Sequence, residues 1–186
     1  NLGDYSKAIE YHKQSLQIAQ EINNLIGEAY SLANLGVVYT NLGNYNKAIE
    51  YHEKSLKIAR EIKNRQGEGA SLGNLGNVYT NLRNYDKAIE YIKQQLNITR
   101  EIKDQLGEGK SLGNLGILYE LLGDYKKSIE YYQQHIKIAR EINDPRGEGI
   151  SLGNLGIVYS ALGDYTKAVK YYKQSLQVAR KINNRL

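Results

Sequence analysis

The sequence repeats itself with a fixed period of 40 residues. Residues 31–39, 71–79, 111–119 and 151–159 all follow the pattern Ser-Leu-Gly-Asn-Leu-Gly-x-x-Tyr, with alanine replacing the first glycine in the earliest copy. A period of this size is typical of stacked-repeat proteins, in which one unit cannot bury its apolar face alone and its neighbours cover it. The period therefore predicts one continuous solenoid rather than one or two globular domains.

Each period contains two amphipathic helical patterns, so we expect an all-α fold. Asp144 is a capping residue directly before the only proline, and Gly163 follows the first helix of that copy, where a left-handed residue belongs. Arg83 occupies the equivalent position in an earlier copy, and Asp4 is the predicted N-cap of the first helical segment. The predicted organisation is a single solenoid over 1–186, with a lone second helix at 1–23, full repeats at 24–63, 64–103, 104–143 and 144–183, and a tail at 184–186.

The net charge of +5 comes from the C-terminal end of the chain. Residues 161–186 contain one acidic residue, Asp164, and six basic ones: Lys167, Lys170, Lys173, Arg180, Lys181 and Arg185. Residues 1–160 carry equal numbers of basic and acidic side chains, so a basic stripe along the array is absent and nucleic acid is a disfavoured partner. Two explanations of the basic end stay open: a docking patch for an acidic partner or nucleic acid, or the loss of a balancing acidic repeat.

The composition narrows the remaining classes of protein. The chain has no cysteine and no run of about 18 apolar residues, which favours a cytoplasmic protein without membrane contact. It also has no methionine and begins inside a repeat, which suggests a piece of a longer array or a designed consensus-like sequence.

No motif for catalysis, a metal or a cofactor is apparent, so we predict that the chain is not an enzyme. The three histidines, His12, His52 and His135, lie on second helices without a recurring carboxylate beside them. Tyr132 and Tyr172 occupy the register of His12 and His52, which favours a packing role for those two imidazoles. The predicted cofactor and metal sites are therefore none.

The fourth copy resembles the tetratricopeptide repeat signature. The matching residues are Leu155-Gly156, Tyr159, Gly163-Asp164-Tyr165, Ala168 and Tyr172. The 40-residue unit is similar to the repeats of Partner-of-Inscuteable-type polarity scaffolds and kinesin light chains, and arginine (Arg60, Arg100, Arg140, Arg180) stands where the usual helix-closing proline would be. The resemblance implies a right-handed α-solenoid of antiparallel helix pairs that binds an extended or partly helical peptide along a concave groove lined by first helices, without catalysis.

The helical wheel of the first helix in the fourth copy separates a packed arc from an opposite arc, which we call the free face. Asparagine recurs on the free face of every copy, as Asn34, Asn74, Asn114 and Asn154. An amide donates and accepts hydrogen bonds, so it can pair with an extended peptide backbone, and Gly73, Gly113 and Gly153 beside it are expected to let that backbone come close. The alternative is that each asparagine bonds a neighbouring helix and sets the stacking register.

The other free-face positions differ between copies. The first two copies carry Tyr30, Val37, Asn41, Ala70, Asn77 and Asn81, and the last two carry Lys110, Ile117, Leu121, Ile150, Ile157 and Ala161. The predicted groove is thus polar at one end and apolar at the other, suited to a peptide with hydrophobic anchors and an acidic residue near Lys110. Sequence drift is the competing explanation for these differences.

The sequence predicts a protein or peptide partner. The alternative function is a structural or self-associating fragment that forms end-to-end homo-oligomers.

Overall fold

The structure is a computed structural model, and it describes residues 2–183 of the chain. Within that range all regular structure is α-helical, as predicted. We call the even-numbered helices first helices and the odd-numbered ones second helices. Their bounds are α1 (Leu2–Glu21), α2 (Leu25–Asn41), α3 (Tyr45–Glu61), α4 (Arg65–Asn81), α5 (Tyr85–Glu101), α6 (Gln105–Leu121), α7 (Tyr125–Glu141), α8 (Pro145–Ala161) and α9 (Tyr165–Asn183).

Capping side chains start the helices, and Asp144 does so as predicted. The Asn24 and Asp144 side chains accept hydrogen bonds from the backbone N–H groups of Gly27 and Gly147, at 3.0 and 2.9 Å. Asn44, Asn64, Asp104, Asp124 and Asp164 cap their helices in the same way. Asp4 is the exception, because α1 already begins at Leu2 and Asp4 lies inside the helix.

Left-handed residues end the helices. The glycines after three first helices, Gly43, Gly123 and Gly163, have φ values of 72°, 75° and 77°, and Arg83 adopts 57° at the same register, as the sequence predicted. The second helices α1, α3, α5 and α7 also end in a left-handed residue, but it is not glycine in these four: Asn23, Lys63, Lys103 and Asn143 have φ values of 54° to 57°. The sequence pattern did not indicate these turns, because asparagine and lysine are common elsewhere in the chain.

The chain forms two compact units, residues 1–98 and 99–186, with the boundary inside α5. In unit 1, α2 packs against α1 and α3, and α3 packs against α4. Its core contains Leu56, Leu72, Leu75 and Ile98. In unit 2, α7 packs against α6 and α8, and α8 packs against α9. Its core contains Tyr132, Ile136, Leu152, Leu155 and Val158.

A glycine in each first helix makes room for one large side chain of the second helix in the same repeat. A Cβ atom on Gly116 would lie 2.5 Å from the Tyr132 ring, and one on Gly156 would lie 2.5 Å from the Tyr172 ring. Gly36 and Gly76 face His52 and Ile92 in the same way. For Gly76, the carbonyl oxygen of the small residue Ala88, one turn earlier in the second helix, is further from the Cβ position, at 3.5 Å.

Polar contacts join successive repeats. Arg60 donates from Nε to Glu68 Oε1 at 2.9 Å, and the same pair recurs in unit 2 as Arg100–Glu108 at 2.8 Å and Arg140–Glu148 at 2.7 Å. Each pair ties the end of a second helix to the next first helix. The arginine side chains are about half exposed, so each pair contributes less than about 1 kcal/mol to stability.

Tyrosine pairs stack within each complete repeat. The ring centroids of Tyr39 and Tyr51 are 5.4 Å apart and nearly parallel, and Lys47 lies over the Tyr39 ring at 5.1 Å. The pairs Tyr79–Tyr91, Tyr119–Tyr131 and Tyr159–Tyr171 repeat this arrangement. These tyrosine rings therefore stabilise each repeat by stacking on one another.

Candidate functional site

The free face of the first helices is exposed to solvent in both units. In unit 1 the exposed positions are Tyr30, Val37, Asn41, Ala70, Asn77 and Asn81; in unit 2 they are Lys110, Ile117, Leu121, Ile150, Ile157 and Ala161. The opposite arc is buried, since Leu35, Leu75, Leu115 and Leu155 all have 0% exposure. The heptad-like spacing places each free-face set on one side of its helix because the α-helix turns by 100° per residue.

The two units differ in the chemistry of this face. In unit 1, Asn41, Asn77 and Asn81 give it a polar character around the exposed Tyr30 ring. In unit 2, Ile117 and Leu121 of α6 and Ile150 and Ile157 of α8 are each between 40% and 55% exposed. Exposed aliphatic side chains of this size on adjoining helices are characteristic of a contact surface.

The four recurring asparagines are half-buried at the edge of the free face. Among the described residues, the amides of Asn34, Asn74 and Asn114 have no hydrogen-bond partner. Asn154 is different, because its side chain interacts with the Tyr132 hydroxyl of the preceding second helix. Both hypotheses from the sequence thus have a physical basis: three amides can accept a ligand, and the fourth already contacts a neighbouring helix.

Glu120 is a polar residue of this region that the sequence analysis missed. The Tyr132 hydroxyl donates a hydrogen bond to Glu120 Oε2 at 2.8 Å. Burial, followed by this hydrogen bond, raises the pKa of Tyr132 far above its usual range, so the hydroxyl stays protonated. Glu120 replaces Thr40, Thr80 and Ser160 at the same register, and that single acidic substitution was the signal that could have revealed it.

The glycines beside the asparagines do not open the free face. A Cβ atom on Gly113 would lie 3.0 Å from His135 Nδ1, one on Gly153 would lie 3.5 Å from Ser175 Oγ, and Gly73 faces Gln95. All three neighbours belong to the second helix of the same repeat. The expectation that these glycines admit a peptide backbone is therefore wrong; they accommodate the side chain at that register of the second helix.

Ser151, His135 and Asp144 lie together in unit 2 in a way that superficially resembles a catalytic triad. Ser151 Oγ and His135 Nδ1 are 2.7 Å apart. Burial lowers the pKa of His135, and the negative charge of Asp144 opposes that shift. Ser151 is only 1% exposed, however, so its hydroxyl is out of reach of a substrate. The serine contact has a counterpart in unit 1, where Ser55 and Ser71 are 3.1 Å apart, which indicates a packing role.

The other histidines are also parts of the packing. His52 is 1% exposed and lies against Gly36, and His12 is half-buried at the same register of α1. Across residues 2–183 there is no group of three side chains able to hold a metal ion. The same part of the chain contains no helix with the length and apolar character needed to cross a membrane.

Comparison with known proteins relates this geometry to a family. The model of the tetratricopeptide repeat family matches residues 1–61, 67–141 and 122–181. No curated protein matches the sequence.

Several solved structures have a similar fold. BtubC (BKLC) from P. vanneervenii superimposes with a TM-score of 0.90 at 24% identity, covering 97% of this chain and 75% of BtubC. A Rap protein complexed with Competence and Sporulation Factor gives 0.79 at 20% identity, covering 96% and 50%. A putative kinesin light chain from Podosopora anserina with nearly identical TPR-like repeats gives 0.79 at 19% identity, covering 98% and 90%. At identities below 25%, these superpositions show a likeness of fold alone.

Proposed function

Because the chain belongs to the tetratricopeptide repeat family, a family of protein-interaction scaffolds, we propose that it binds a peptide segment of a partner protein on the free face of its first helices. The observation that carries the proposal is the exposed aliphatic surface of unit 2, formed by Ile117, Leu121, Ile150 and Ile157. Aliphatic side chains at this level of exposure gain free energy when a partner covers them.

The chemistry of unit 2 specifies what kind of peptide fits. Apolar side chains of the ligand would cover the α6 and α8 isoleucines, and an acidic side chain would pair with the exposed Lys110. The Asn114 amide, which has no partner among the described residues, would hydrogen-bond the peptide backbone and so hold it irrespective of its side chains. Unit 1, with its polar free face, would contribute amides rather than apolar anchors.

The test begins with selection of binders from a random peptide display library on the intact chain, followed by measurement of affinity by calorimetry. Ile150→Asp should weaken a selected peptide at least about tenfold, since it removes an apolar contact at the centre of an interface. Asn114→Ala should weaken it by about 1–2 kcal/mol, the value of a hydrogen bond left unmade. Asn97→Ala, at an exposed asparagine on the second helix α5, is the matched control and should leave affinity unchanged.

Peptides whose affinity is indifferent to both free-face variants would refute this location for the site. The Asn154→Ala variant is less informative, because Asn154 interacts with Tyr132 and its loss also affects packing. Circular dichroism of every variant separates loss of binding from loss of fold.

End-to-end association is the second candidate function, and it rests on a different observation. Tyr172 and Leu176 of α9 are 43% and 51% exposed, whereas Tyr132 and Ile136, at the same register of α7, are 0% and 7% exposed under α8. An apolar helix face of this kind favours contact with another helix. Light scattering over a concentration series tests the idea. Growth in mass that Leu176→Lys suppresses would support association through α9, and a constant monomer mass would exclude it.

A further inference from the structure

We propose that a second groove in unit 2, between the second helices α7 and α9, binds an acidic peptide segment independently of the free face. Gln133, Lys137, Arg140 and Glu141 of α7 line one wall and Lys170, Tyr171 and Gln174 of α9 line the other. Lys137 Nζ and Glu141 Oε1 are 3.9 Å apart. The floor is formed by Ile136, Leu152 and Leu155, and the cavity has a volume of about 440 Å³. No free-face residue contributes to it. We call this cavity the α7–α9 groove.

Unit 1 contains a groove of the same kind with a different charge. It lies between α3 and α5, has a volume of about 420 Å³, and is lined by Glu53, Leu56, Lys57, Arg60, Glu90, Tyr91 and Gln94. Two carboxylates face two cations there. Lys170 stands at the register of Glu90, as well as of Glu50 and Glu130, so the α7–α9 groove has a cation where the other repeats have a carboxylate. The geometry recurs, and the net charge of the lining distinguishes the two sites. The two cations and two carboxylates of unit 1 cancel, whereas the α7–α9 groove has three cations and one carboxylate.

Side-chain donors that are hydrogen-bonded in the unit 1 groove have equivalents in the α7–α9 groove that are not hydrogen-bonded there. In unit 1, Arg60 Nη2 donates to Gln94 Oε1 at 3.4 Å, and Gln94 Nε2 donates to Glu90 Oε1 at 3.4 Å. Arg140 keeps its Nε bond to Glu148 at 2.7 Å, but among the described residues it makes no bond to Gln174. Lys170 also has no acidic partner within the described range. A guanidinium edge, an amide and an ammonium group therefore line one cavity with their donors unused.

These donors define the chemistry of the ligand. A carboxylate is the acceptor that suits the Arg140 guanidinium, the Gln174 amide and the Lys170 ammonium, because all three offer N–H groups. The Tyr171 ring and the aliphatic floor favour an apolar side chain next to that carboxylate. A second cavity of about 660 Å³ shares Arg140, Leu152 and Gln174 with the groove and extends to Lys181. The site is thus long enough for a peptide segment with more than one carboxylate.

A polypeptide fits this pattern better than a nucleic acid does. Binding to a nucleic-acid backbone depends on neutralising a series of regularly spaced phosphates. Residues 1–160 carry balanced charge, and the matching groove of unit 1 contains two carboxylates, which would repel such a backbone. A cavity with three cations and a single carboxylate above an apolar floor is suited to a short acidic segment with an aliphatic anchor.

The probe for the test is a fluorescein-labelled peptide of glutamate residues with one central leucine, and its binding is followed by fluorescence anisotropy at physiological salt. Lys170→Glu should weaken binding at least about tenfold, because it replaces a pairing cation with a repelling anion inside the groove. Lys173→Glu makes the same charge change on the same helix outside the groove, and screening should limit its effect to about twofold or less. The Lys170→Glu substitution should leave the helix packing intact, since α3, α5 and α7 carry an exposed glutamate at that register.

Three results would overturn the proposal: no binding of the leucine-containing peptide to the unmodified chain, equal losses in the two lysine variants, or equally tight binding of a glutamate peptide that lacks leucine. Binding of oligodeoxythymidylate with the same sensitivity to Lys170→Glu would identify the ligand class as nucleic acid instead. The fold-loss caused by Lys170→Glu should be the same in the unmodified chain and in a chain that carries Ile150→Asp, which removes the free-face contact, so failure at this groove is distinguishable from failure at the free face.

Discussion

Replacing His52 with isoleucine should abolish a pH dependence of stability that originates in the core of unit 1. His52 is 1% exposed, and its Nδ1 atom has no hydrogen-bond partner in the described part of the chain. Burial lowers the pKa of His52 to about 4, because a charged imidazole would lose its hydration in the core. Ile92 occupies the same register in the next repeat, packed against Gly76, so the isoleucine variant copies an arrangement that the chain already contains.

The sign and size of the effect follow from proton linkage. The unfolded chain has a histidine pKa of about 6.5 and binds a proton as the pH falls below that value, whereas folded His52 stays neutral until about pH 4. Stability conferred by the neutral imidazole is therefore complete above about pH 6.5 and is lost as the pH falls towards about 4. Between about pH 7.5 and about pH 4.5 the loss from this one group amounts to about 2.5 kcal/mol.

The assay is urea unfolding at a series of pH values, with hydrogen exchange of the α2 and α3 amides as a local measure, since repeat arrays do not always unfold in one step. His52→Ile should remain more stable than the unmodified chain at every pH, and the difference should widen as the medium is acidified. His12→Ile, at the half-buried position of the same register in α1, is the control. A parallel pH profile for the unmodified chain and His52→Ile would refute the reasoning and mean that the imidazole is hydrated or paired.

Three further predictions concern the packing of the repeats, each measured as a change in the free energy of unfolding at neutral pH. Arg83→Gly should stabilise the chain by about 1 kcal/mol, because the residue adopts φ 57° and glycine does so without steric cost, whereas Arg83→Ala should give no gain. Gly116→Ala should destabilise it by about 1–3 kcal/mol, since the new methyl group meets the rigid Tyr132 ring, while Gly76→Ala should cost less because the flexible end of the Ile92 side chain can move; equal costs would contradict this. Ser55→Ala should cost about 1–2 kcal/mol because the Ser55 hydroxyl donates to the buried Ala29 carbonyl oxygen at 2.9 Å, and an unchanged stability would mean that water replaces the bond.

The all-α repeat, the start of α8 at the Asp144 cap and the left-handed ends of the first helices could be predicted from the sequence. Capping residues such as Asn24 and Asp144, and left-handed glycines such as Gly163, act through the backbone of their own segment, so their effect depends on nearby residues alone. The resemblance to tetratricopeptide repeats, based on motif residues 155–172, is confirmed by the family model over most of the chain. The exposure of the free face follows from the same helical period.

Side-chain partners across helices could not be predicted in the same way. The helical wheel placed Gly113 on the free face, but in the structure Gly113 lies against the His135 side chain. How much of a first helix is covered by the second helix depends on the angle at which the two helices cross and on the length of the covering side chains. The Arg140–Glu148 pair and the unused donors of Gln174 and Lys170 likewise depend on distances between separate helices.

The sequence by itself determined the all-α repeat architecture, the left-handed ends of the first helices and the polar or apolar character of each free face, since these depend on periodicity and local backbone preferences. The tertiary structure decided which polar groups are hydrogen-bonded within the fold and which remain available to a ligand. Asn154 interacts with Tyr132 while Asn114 stays without a described partner, and Lys170 faces a groove where its counterpart Glu90 accepts a hydrogen bond from Gln94. Copies of one motif thus differ in which polar groups a ligand could reach. The reason is that a few side chains on neighbouring helices decide which of these groups are already hydrogen-bonded.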